Sequence, residues 1–284
     1  MVALLLVGGD AVAKPALWVV KGPKATIYLF GTIHILRQGQ SWESPEIANA
    51  FAASRELWLE VPNADDTQAV QSLLRGLGLD QQHPLSTTLS PRDLAHLDNA
   101  AKNVGIAAGE KSLEPMRPWL ASLALSDALL IHAGYDPASG VERVLQQEAA
   151  AANKTVRGFE TLEQQMHFFA DMPPQLQIDV LEDALSDADA GSSKLDGLVD
   201  AWLKGDQAGI THLIVDELKI PFPELYRTLL VARNEAWAAA IAGMLKEPGI
   251  RFIAVGAGHL AGPDSLRAKL AQRGIHVDAV GPGL

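Results

Sequence analysis

The chain has 284 residues, of which 48% are hydrophobic, and its 23 Lys and Arg against 34 Asp and Glu give a net charge of −11. A chain of this length buries a sizeable core and builds one or two domains. The acidic balance argues against a nucleic-acid partner and against attraction to anionic lipid, because both require clustered Lys and Arg. Cysteine is absent, which excludes disulfides, thiolate metal sites and Cys nucleophiles.

The first residues have the composition of an export signal. Residues 1–9 are apolar, and Ala11-Val12-Ala13 has the small-x-small pattern of a signal peptidase site, although no basic residue precedes the apolar run. We therefore predict that residues 1–13 are a signal peptide remnant and that the protein is periplasmic or secreted. The alternative is an apolar first strand. No uncharged run is long enough to be a transmembrane segment.

The next residues predict the beginning of an α/β sheet. Two β-rich runs within residues 16–30 flank the turn residues 21–24 and predict a β-hairpin. Ser44 followed by Pro45 predicts the start of a helix that runs to about Ser54. Residues 55–61 alternate between apolar and polar, as a half-buried strand does.

The rest of the chain is predicted from apolar spacing, caps and turn residues. Helices are predicted at residues 67–79, 90–104, 117–133, 141–153, 161–170, twice within 175–203, at 224–246 and at 264–273. Strands are predicted at 154–157, 250–255 and 275–280. We therefore predict an α/β fold with a mixed, largely parallel sheet flanked by helices. Residues 14–284 would form a single domain with a helical cap inserted at about 63–153.

Two Gly-x-x-His motifs follow apolar strands at opposite ends of the chain. Gly31 precedes His34 by three residues, and Gly256 precedes His259 by the same spacing, with Gly258 between them. Glycine permits a sharp turn at the end of a strand, and the carboxyl edge of an open α/β sheet is where ligands bind. The motifs therefore predict that both histidines lie at this edge. The alternative for each is a turn histidine that binds only backbone.

Two glutamates occupy similar positions. Glu60 lies at the end of the strand at 55–61, and Glu160 follows the strand at 154–157. If the strands are parallel neighbours, both carboxylates meet the two histidines. Such a set could hold a divalent metal ion or form an acid/base site around water. The alternatives are a structural partner such as Arg55 or Lys21 for Glu60, and helix capping for Glu160.

Arg233 and Asn234 interrupt an otherwise apolar stripe on the helix at 224–246. A buried arginine needs an anionic partner. We predict that Arg233 orients a site glutamate or binds an anionic transition state. The alternative is a local pair with Glu235 or Asp216.

The two Gly-x-x-His motifs, the two glutamates and the Arg-Asn pair, with the sequence around them, resemble the TraB/GumN (PrgY) family. The resemblance is to its GumN-like bacterial branch, which is related to the Tiki metalloproteases. The family hallmarks match Gly31 and His34, Gly256 and His259, and the intervening Glu60. The Gly-Leu-Glu-Thr element of the family matches residues 158–161, with Phe159 in place of Leu, and its Arg-Asn pair matches residues 233–234. The resemblance extends over nearly the whole chain after residue 13.

This resemblance implies a fold shared with erythromycin-esterase-like and haem-binding ChaN-like proteins, and a hydrolytic, metal-dependent site. We predict an exported hydrolase of the metallopeptidase type, in which His34, Glu60 and His259 hold a divalent ion of the Mn, Co or Zn class. Glu160, Arg233 and Asn234 would complete the catalytic set. In a metal-free variant, His34 would be the general base to water. The alternatives are a haem- or iron-binding protein and an envelope accessory protein. The substrate, a peptide or a small molecule, and the oligomeric state do not follow from the sequence.

Overall fold

The computed structural model describes residues 13–64 and 66–281. Its strands are β1 (Leu17–Lys21), β2 (Ala25–Thr32), β3 (Leu36–Arg37), β4 (Glu56–Leu59), β5 (Tyr135–Asp136), β6 (Thr155–Gly158), β7 (Gly249–Gly256) and β8 (Asp278–Ala279). β3 pairs with β5, and the others form a sheet in the order β6-β4-β7-β2-β1-β8. The strands from β6 to β2 in this order are parallel, whereas β1 is antiparallel to both neighbours. The predicted α/β fold with a mixed, largely parallel sheet is confirmed.

Helices cover both faces of this sheet. They are α1 (Pro45–Ala53), α2 (Thr67–Leu73), α3 (Leu85–Thr88), α4 (Pro91–Asn103), α5 (Glu110–Leu113), α6 (Pro118–His132), α7 (Val141–Ala151), α8 (Leu162–Ala170), α9 (Pro174–Ala190), α10 (Ser193–Leu203), α11 (Gln207–Ile210), α12 (Glu217–Lys219), α13 (Pro223–Tyr226), α14 (Arg233–Met244) and α15 (Leu266–Gln272). Between β4 and β6 the chain is mostly helical. The domain limits at residue 14 and at 63–153 stay a prediction.

Helix starts follow the capping chemistry of the sequence. The Ser44 side chain accepts from Ile47 N at the start of α1, with Pro45 as the first helical residue. Thr161 and Gln164 form a reciprocal capping box at α8. Each cap satisfies backbone N–H groups that have no partner inside the helix. These local signals account for the close agreement between predicted and observed helix starts.

Alternating side chains of the central strands divide between two cores. Phe30 of β2 and Phe252 of β7 lie in the core on one face of the sheet, with α1, α7 and α10. Leu29 and Ile253, one residue along each strand, lie in the core on the other face, with α14 and α15. Both faces are covered, as is usual for parallel strands with continuous apolar sequence. A third core, between α4, α6 and α9, stabilises the helical part.

The parallel arrangement puts four strand ends at one edge. Thr32 is in register with Gly256, and Leu59 is in register with Gly158, so β2, β7, β4 and β6 end side by side. The segments that follow them carry the two histidines and the two glutamates. Topology therefore brings together side chains that are far apart in sequence.

Two parts of the chain differ from the predicted elements. The predicted strand at 275–280 is only two residues long in the structure, β8, which pairs with Trp18 and Val19 at the sheet edge. Residues 207–219, for which we had no prediction, are helical and include a π-helical segment, Thr211–Asp216. The predicted helix at 224–246 is present, but a segment in its N-terminal half, Arg227–Ala232, is also π-helical.

The predicted signal peptide remnant lies, apart from Ala13, outside the described residues. Within the described part of the chain, no helix combines the length and the apolar character needed to cross a bilayer.

Candidate functional site

Arg233 lies at the centre of the carboxyl edge and binds both glutamates. Its side chain is 8% exposed, and Nε and Nη2 donate to the two oxygens of Glu160, each at 2.8 Å. Nη2 also donates to Glu60 Oε2 at 2.5 Å. One guanidinium thus faces two buried carboxylates and offsets part of the cost of removing them from water. The alternative partner of Arg233, Glu235, binds Arg273 instead.

The π-helical segment Arg227–Ala232 ends directly before Arg233. Arg233 Nη1 donates to the carbonyl oxygen of Leu229 at 3.0 Å, within this segment. A π-helical turn shifts the side chains that follow it relative to a regular α-helix and is frequent at functional sites. The guanidinium is also packed over the ring of Trp237, at 4.7 Å from its centroid. The local backbone and an aromatic ring therefore fix the position of the charge.

Glu60 is held as a carboxylate. Its Oε1 accepts from Gly256 N at 2.8 Å, and its Oε2 accepts from Gln165 Nε2 at 3.2 Å in addition to Arg233. Burial raises the pKa of this carboxyl, but His259, which is protonated only at acidic pH, the charges of Arg233 and His34 and the bond from Gly256 lower it by more, to about 2. Glu60 is therefore a fixed negative charge at neutral pH.

A chain of hydrogen bonds sets the state of His259. Asn234 Nδ2 donates to the backbone oxygen of Asp264 at 2.9 Å, so the amide oxygen of Asn234 faces the ring and accepts from His259 Nδ1 at 2.7 Å. Arg233, which can only donate, lies 3.1 Å from Nε2. Burial lowers the pKa of His259 to about 3, against the attraction of Glu60. The network thus assigns a neutral ring that is protonated on Nδ1.

His34 has different surroundings, because 69% of its side chain is exposed to the cavity. Its Nδ1 lies 2.7 Å from Oε1 of Glu142, which also accepts from the Thr32 hydroxyl. The attraction of Glu142 raises the pKa of His34 to about 9. No hydrogen bond from Nε2 is formed with the part of the chain that the structure describes. His34 is therefore oriented by one nitrogen and open at the other.

Gly31 and Gly256, the first residues of the two motifs, lie where a side chain would crowd neighbouring atoms. Gly256 has a φ of −50° and Gly31 lies inside β2, so neither adopts a left-handed conformation. A Cβ on Gly256 would lie 3.3 Å from Glu60 Oε1 and 3.4 Å from His34 Nε2, and one on Gly31 would lie 3.1 Å from the Cα of Ala257. The predicted turn is absent at Gly31, which lies inside β2, whereas the chain does leave β7 for a short 3-10 helix directly after Gly256. Both glycines allow the strands and the site side chains to approach closely.

Two further glycines are required for the same reason. A Cβ on Gly258 would lie 2.7 Å from Cγ2 of Ile214. A Cβ on Gly140, directly before α7, would lie 2.1 Å from the backbone oxygen of His34. Gly140 therefore allows α7 to approach the first motif, which brings Glu142 to His34.

His34, Glu60 and His259 do not form a metal site in this arrangement. Both oxygens of Glu60 accept from N–H groups, and His259 Nε2 lies against the guanidinium of Arg233. Among the described residues, no three His, Asp or Glu side chains are placed to share one ion. A cation between Glu60 and His259 would have to displace Arg233, which keeps its own positive charge. The metal role of these residues stays a prediction.

The site opens into a cavity of about 610 Å³. Its chemical groups include His34, Glu60, Arg233 and His259. Most of its walls are aliphatic side chains of the helices: Leu130, Ile131, Leu195, Leu198, Ile214, Leu218, Leu229 and Leu230. A larger cavity, of about 1060 Å³, lies beyond Arg233 between α8 and α14. It does not reach His34 or His259, so we place the chemistry in the smaller cavity.

The structure brings all of the predicted site side chains together at the sheet edge and adds two that the sequence did not suggest. Glu142 binds His34, and Gln165 binds Glu60. Gln165 lies four residues after the element at 158–161 that resembles the family, and this proximity is the available indication. Glu142 stands in the first turn of α7, where acids are common in any protein, and no pattern marked it.

His259 makes the stability of the fold depend on pH. Its pKa is near 6.5 in an unfolded chain and about 3 here, so the unfolded state binds the proton more tightly. Stability is fully present above pH 6.5 and is lost as the pH falls toward 3, by about 1.4 kcal/mol per pH unit. Urea unfolding between pH 7 and 4 should show a smaller slope in His259→Gln than in the unmodified protein. Equal slopes would contradict this account.

Fold and site together define an α/β protein with paired Gly-x-x-His motifs around a buried Glu–Arg–Glu cluster. The chain belongs to the TraB/PrgY/gumN family, whose family model matches residues 16–279. It is similar to an uncharacterized protein of Treponema pallidum (strain Nichols), with 25% identity over 263 residues, which cover 88% of this chain and 78% of the relative. The predicted family membership is confirmed.

Proposed function

We propose that this protein is a hydrolase in which His34 activates water for attack on a carboxylic ester or amide. The observation that carries the proposal is the orientation of the ring: Nδ1 binds Glu142 at 2.7 Å, while Nε2 lies at the cavity. A histidine held by a carboxylate at one nitrogen and free at the other is suited to general base catalysis.

In the proposed reaction, His34 Nε2 takes a proton from water, and the resulting hydroxide attacks the carbonyl carbon. The tetrahedral intermediate expels the alcohol or amine, which receives the proton back from His34. Glu142 keeps the ring in position and stabilises the imidazolium. The guanidinium of Arg233 is bonded to Glu60, Glu160 and His259, and the amide oxygen of Asn234 is bonded to His259. Arg233 and Asn234 are therefore positioning residues.

The reaction class can be tested with nitrophenyl esters and quenched fluorogenic peptides, each assayed with and without EDTA. We expect that the rate of hydrolysis is the same with and without EDTA. Activity that is lost with EDTA and restored by Mn²⁺, Co²⁺ or Zn²⁺ would instead favour an ion held by His34, Glu60 and His259, as the resemblance to the Tiki metalloproteases implies. Absence of hydrolysis together with a saturable Soret shift on haem titration would favour the binding-protein alternative.

Glu142→Gln is expected to move the pH profile of kcat/KM to lower pH. The general base must be neutral, and Glu142 raises the pKa of His34 to about 9, so the unmodified activity should rise until about that pH. Without the carboxylate, the pKa returns toward the ordinary value of about 6.5, and the activity levels off earlier. Glu148→Gln, on the same helix but outside the cavity, is the control. Identical profiles for all three proteins would contradict the assigned role of Glu142.

We also propose that the protein is exported and acts in the periplasm or outside the cell. The support is the apolar run at residues 1–9 and the small-x-small pattern at 11–13. Protein extracted from the envelope should then begin at Lys14 on N-terminal sequencing. An intact Met1 on protein from the cytosolic fraction would contradict export.

A further inference from the structure

The cavity contains a second polar group without a bonding partner. Most polar side chains that line it are bonded to neighbours: Thr32, Glu60, Gln165, Arg233 and His259. Two groups remain among the described residues of the lining. One is His34 Nε2, which the proposed reaction uses, and the other is the carboxylate of Asp127.

Asp127 lies on the face of α6 that borders the cavity. Leu130 and Ile131 follow it at the spacings of three and four residues that share a helix face, and all three line the cavity. Asp127 is an exposed residue, and its carboxylate forms no hydrogen bond or ion pair with the described residues, although the protein around it raises its pKa. A carboxylate so placed is stabilised by any cation that enters the cavity.

The rest of the wall favours an aliphatic ligand. Leu195 and Leu198 of α10 face the same space as Ile214, Leu218 and Ile131, and Ile131 is 56% exposed. A ligand with many hydroxyl or phosphate groups would lose its hydrogen bonds to water against these side chains. A hydrocarbon segment would instead bury apolar surface on both sides. The volume of about 610 Å³ is that of an ordinary small-molecule site.

We propose that this cavity binds an amphiphilic cation, with its aliphatic body against the leucine and isoleucine wall and its ammonium group at Asp127. The inference rests on the proposed function for one point, that the reacting carbonyl lies at His34. With the carbonyl there and the ammonium group at Asp127, the substrate is an ester or amide whose aliphatic acyl part carries a positive charge. Asp127 becomes the residue that sets specificity.

Binding can be measured without turnover. Hexylamine, 1-hexanol and hexanoate would be titrated at pH 7 into the unmodified protein, Asp127→Asn and Glu182→Gln, by calorimetry or NMR. Glu182 lies on α9 and does not line the cavity, so its variant controls for the loss of one negative charge. We expect hexylamine to bind about three- to fivefold more tightly than hexanol, because an exposed ion pair contributes up to about 1 kcal/mol. This preference should vanish in Asp127→Asn and persist in Glu182→Gln.

Equal affinity for amine and alcohol, tighter binding of hexanoate, absence of amine binding, or a preference that survives Asp127→Asn would each overturn the inference. A kinetic comparison separates it from the proposed function. The nitrophenyl esters of 6-aminohexanoic and hexanoic acids should differ in kcat/KM in favour of the amino ester, and only with Asp127 present. A protein that binds hexylamine through Asp127 but hydrolyses neither ester would refute the hydrolase and leave the binding site established.

Discussion

Replacing Arg233 by methionine is expected to lower the free energy of unfolding by about 3–5 kcal/mol, which is the usual cost of removing one partner from a buried ionic network. The variant leaves Glu60 and Glu160 without their common cation, while each side chain is only 10% exposed. Methionine has a similar length and keeps much of the packing against Trp237. The loss therefore reports mainly on charge, and urea unfolding at pH 7 measures it.

Arg227→Met is the matched control, because this arginine is 69% exposed and its ion pair with Glu224 is 3.8 Å long. Exposed pairs contribute about 0–1 kcal/mol. Adding Glu60→Gln and Glu160→Gln to Arg233→Met should restore part of the stability, since the buried negative charges are then gone. Equal free energies of unfolding for Arg233→Met and Arg227→Met would show that the ion pairs of Arg233 with Glu60 and Glu160 do not stabilise this edge of the sheet.

His34→Gln is expected to lower kcat/KM for ester hydrolysis by about 10²- to 10⁴-fold, the range that general acid–base groups contribute. Glutamine can still occupy the cavity edge, but its amide cannot take a proton from water. Glu142, whose side chain is 18% exposed, loses its partner in this variant, so the free energy of unfolding should fall by about 1.5–3 kcal/mol. The activity is therefore compared under conditions where both proteins are folded.

His276→Gln is the comparison for this variant, since that side chain is 86% exposed and pairs with Asp278 away from the cavity. Its activity should equal that of the unmodified protein. A His34→Gln protein that is folded and retains its hydrolytic rate would remove His34 from the mechanism and, with it, the present proposal.

The sequence predicted those parts of the site whose position depends on strand ends. His34, Glu60, Glu160 and His259 each follow a strand, and parallel strands end at a common edge. Arg233 could also be expected, because a charged residue on an apolar helix face requires a buried partner. Local patterns were sufficient for these predictions.

Other features depend on how distant helices pack, and no local pattern reveals them. Glu142 reaches His34 because α7 approaches the first motif at Gly140, where a side chain would collide with the His34 backbone. Asp127 lines the cavity only through the position of α6. The neutral state of His259 follows from the direction of the Asn234 amide, which its bond to Asp264 determines.

The sheet order has a consequence for biosynthesis. β7 lies between β2 and β4, yet it is translated after both of them. Until it leaves the ribosome, β2 and β4 have no neighbour on their facing sides, and Glu60 lacks the backbone amide of Gly256. Such non-local pairing slows folding and exposes unpaired strand edges. We therefore expect the facing edges of β2 and β4 to stay exposed until β7 is available.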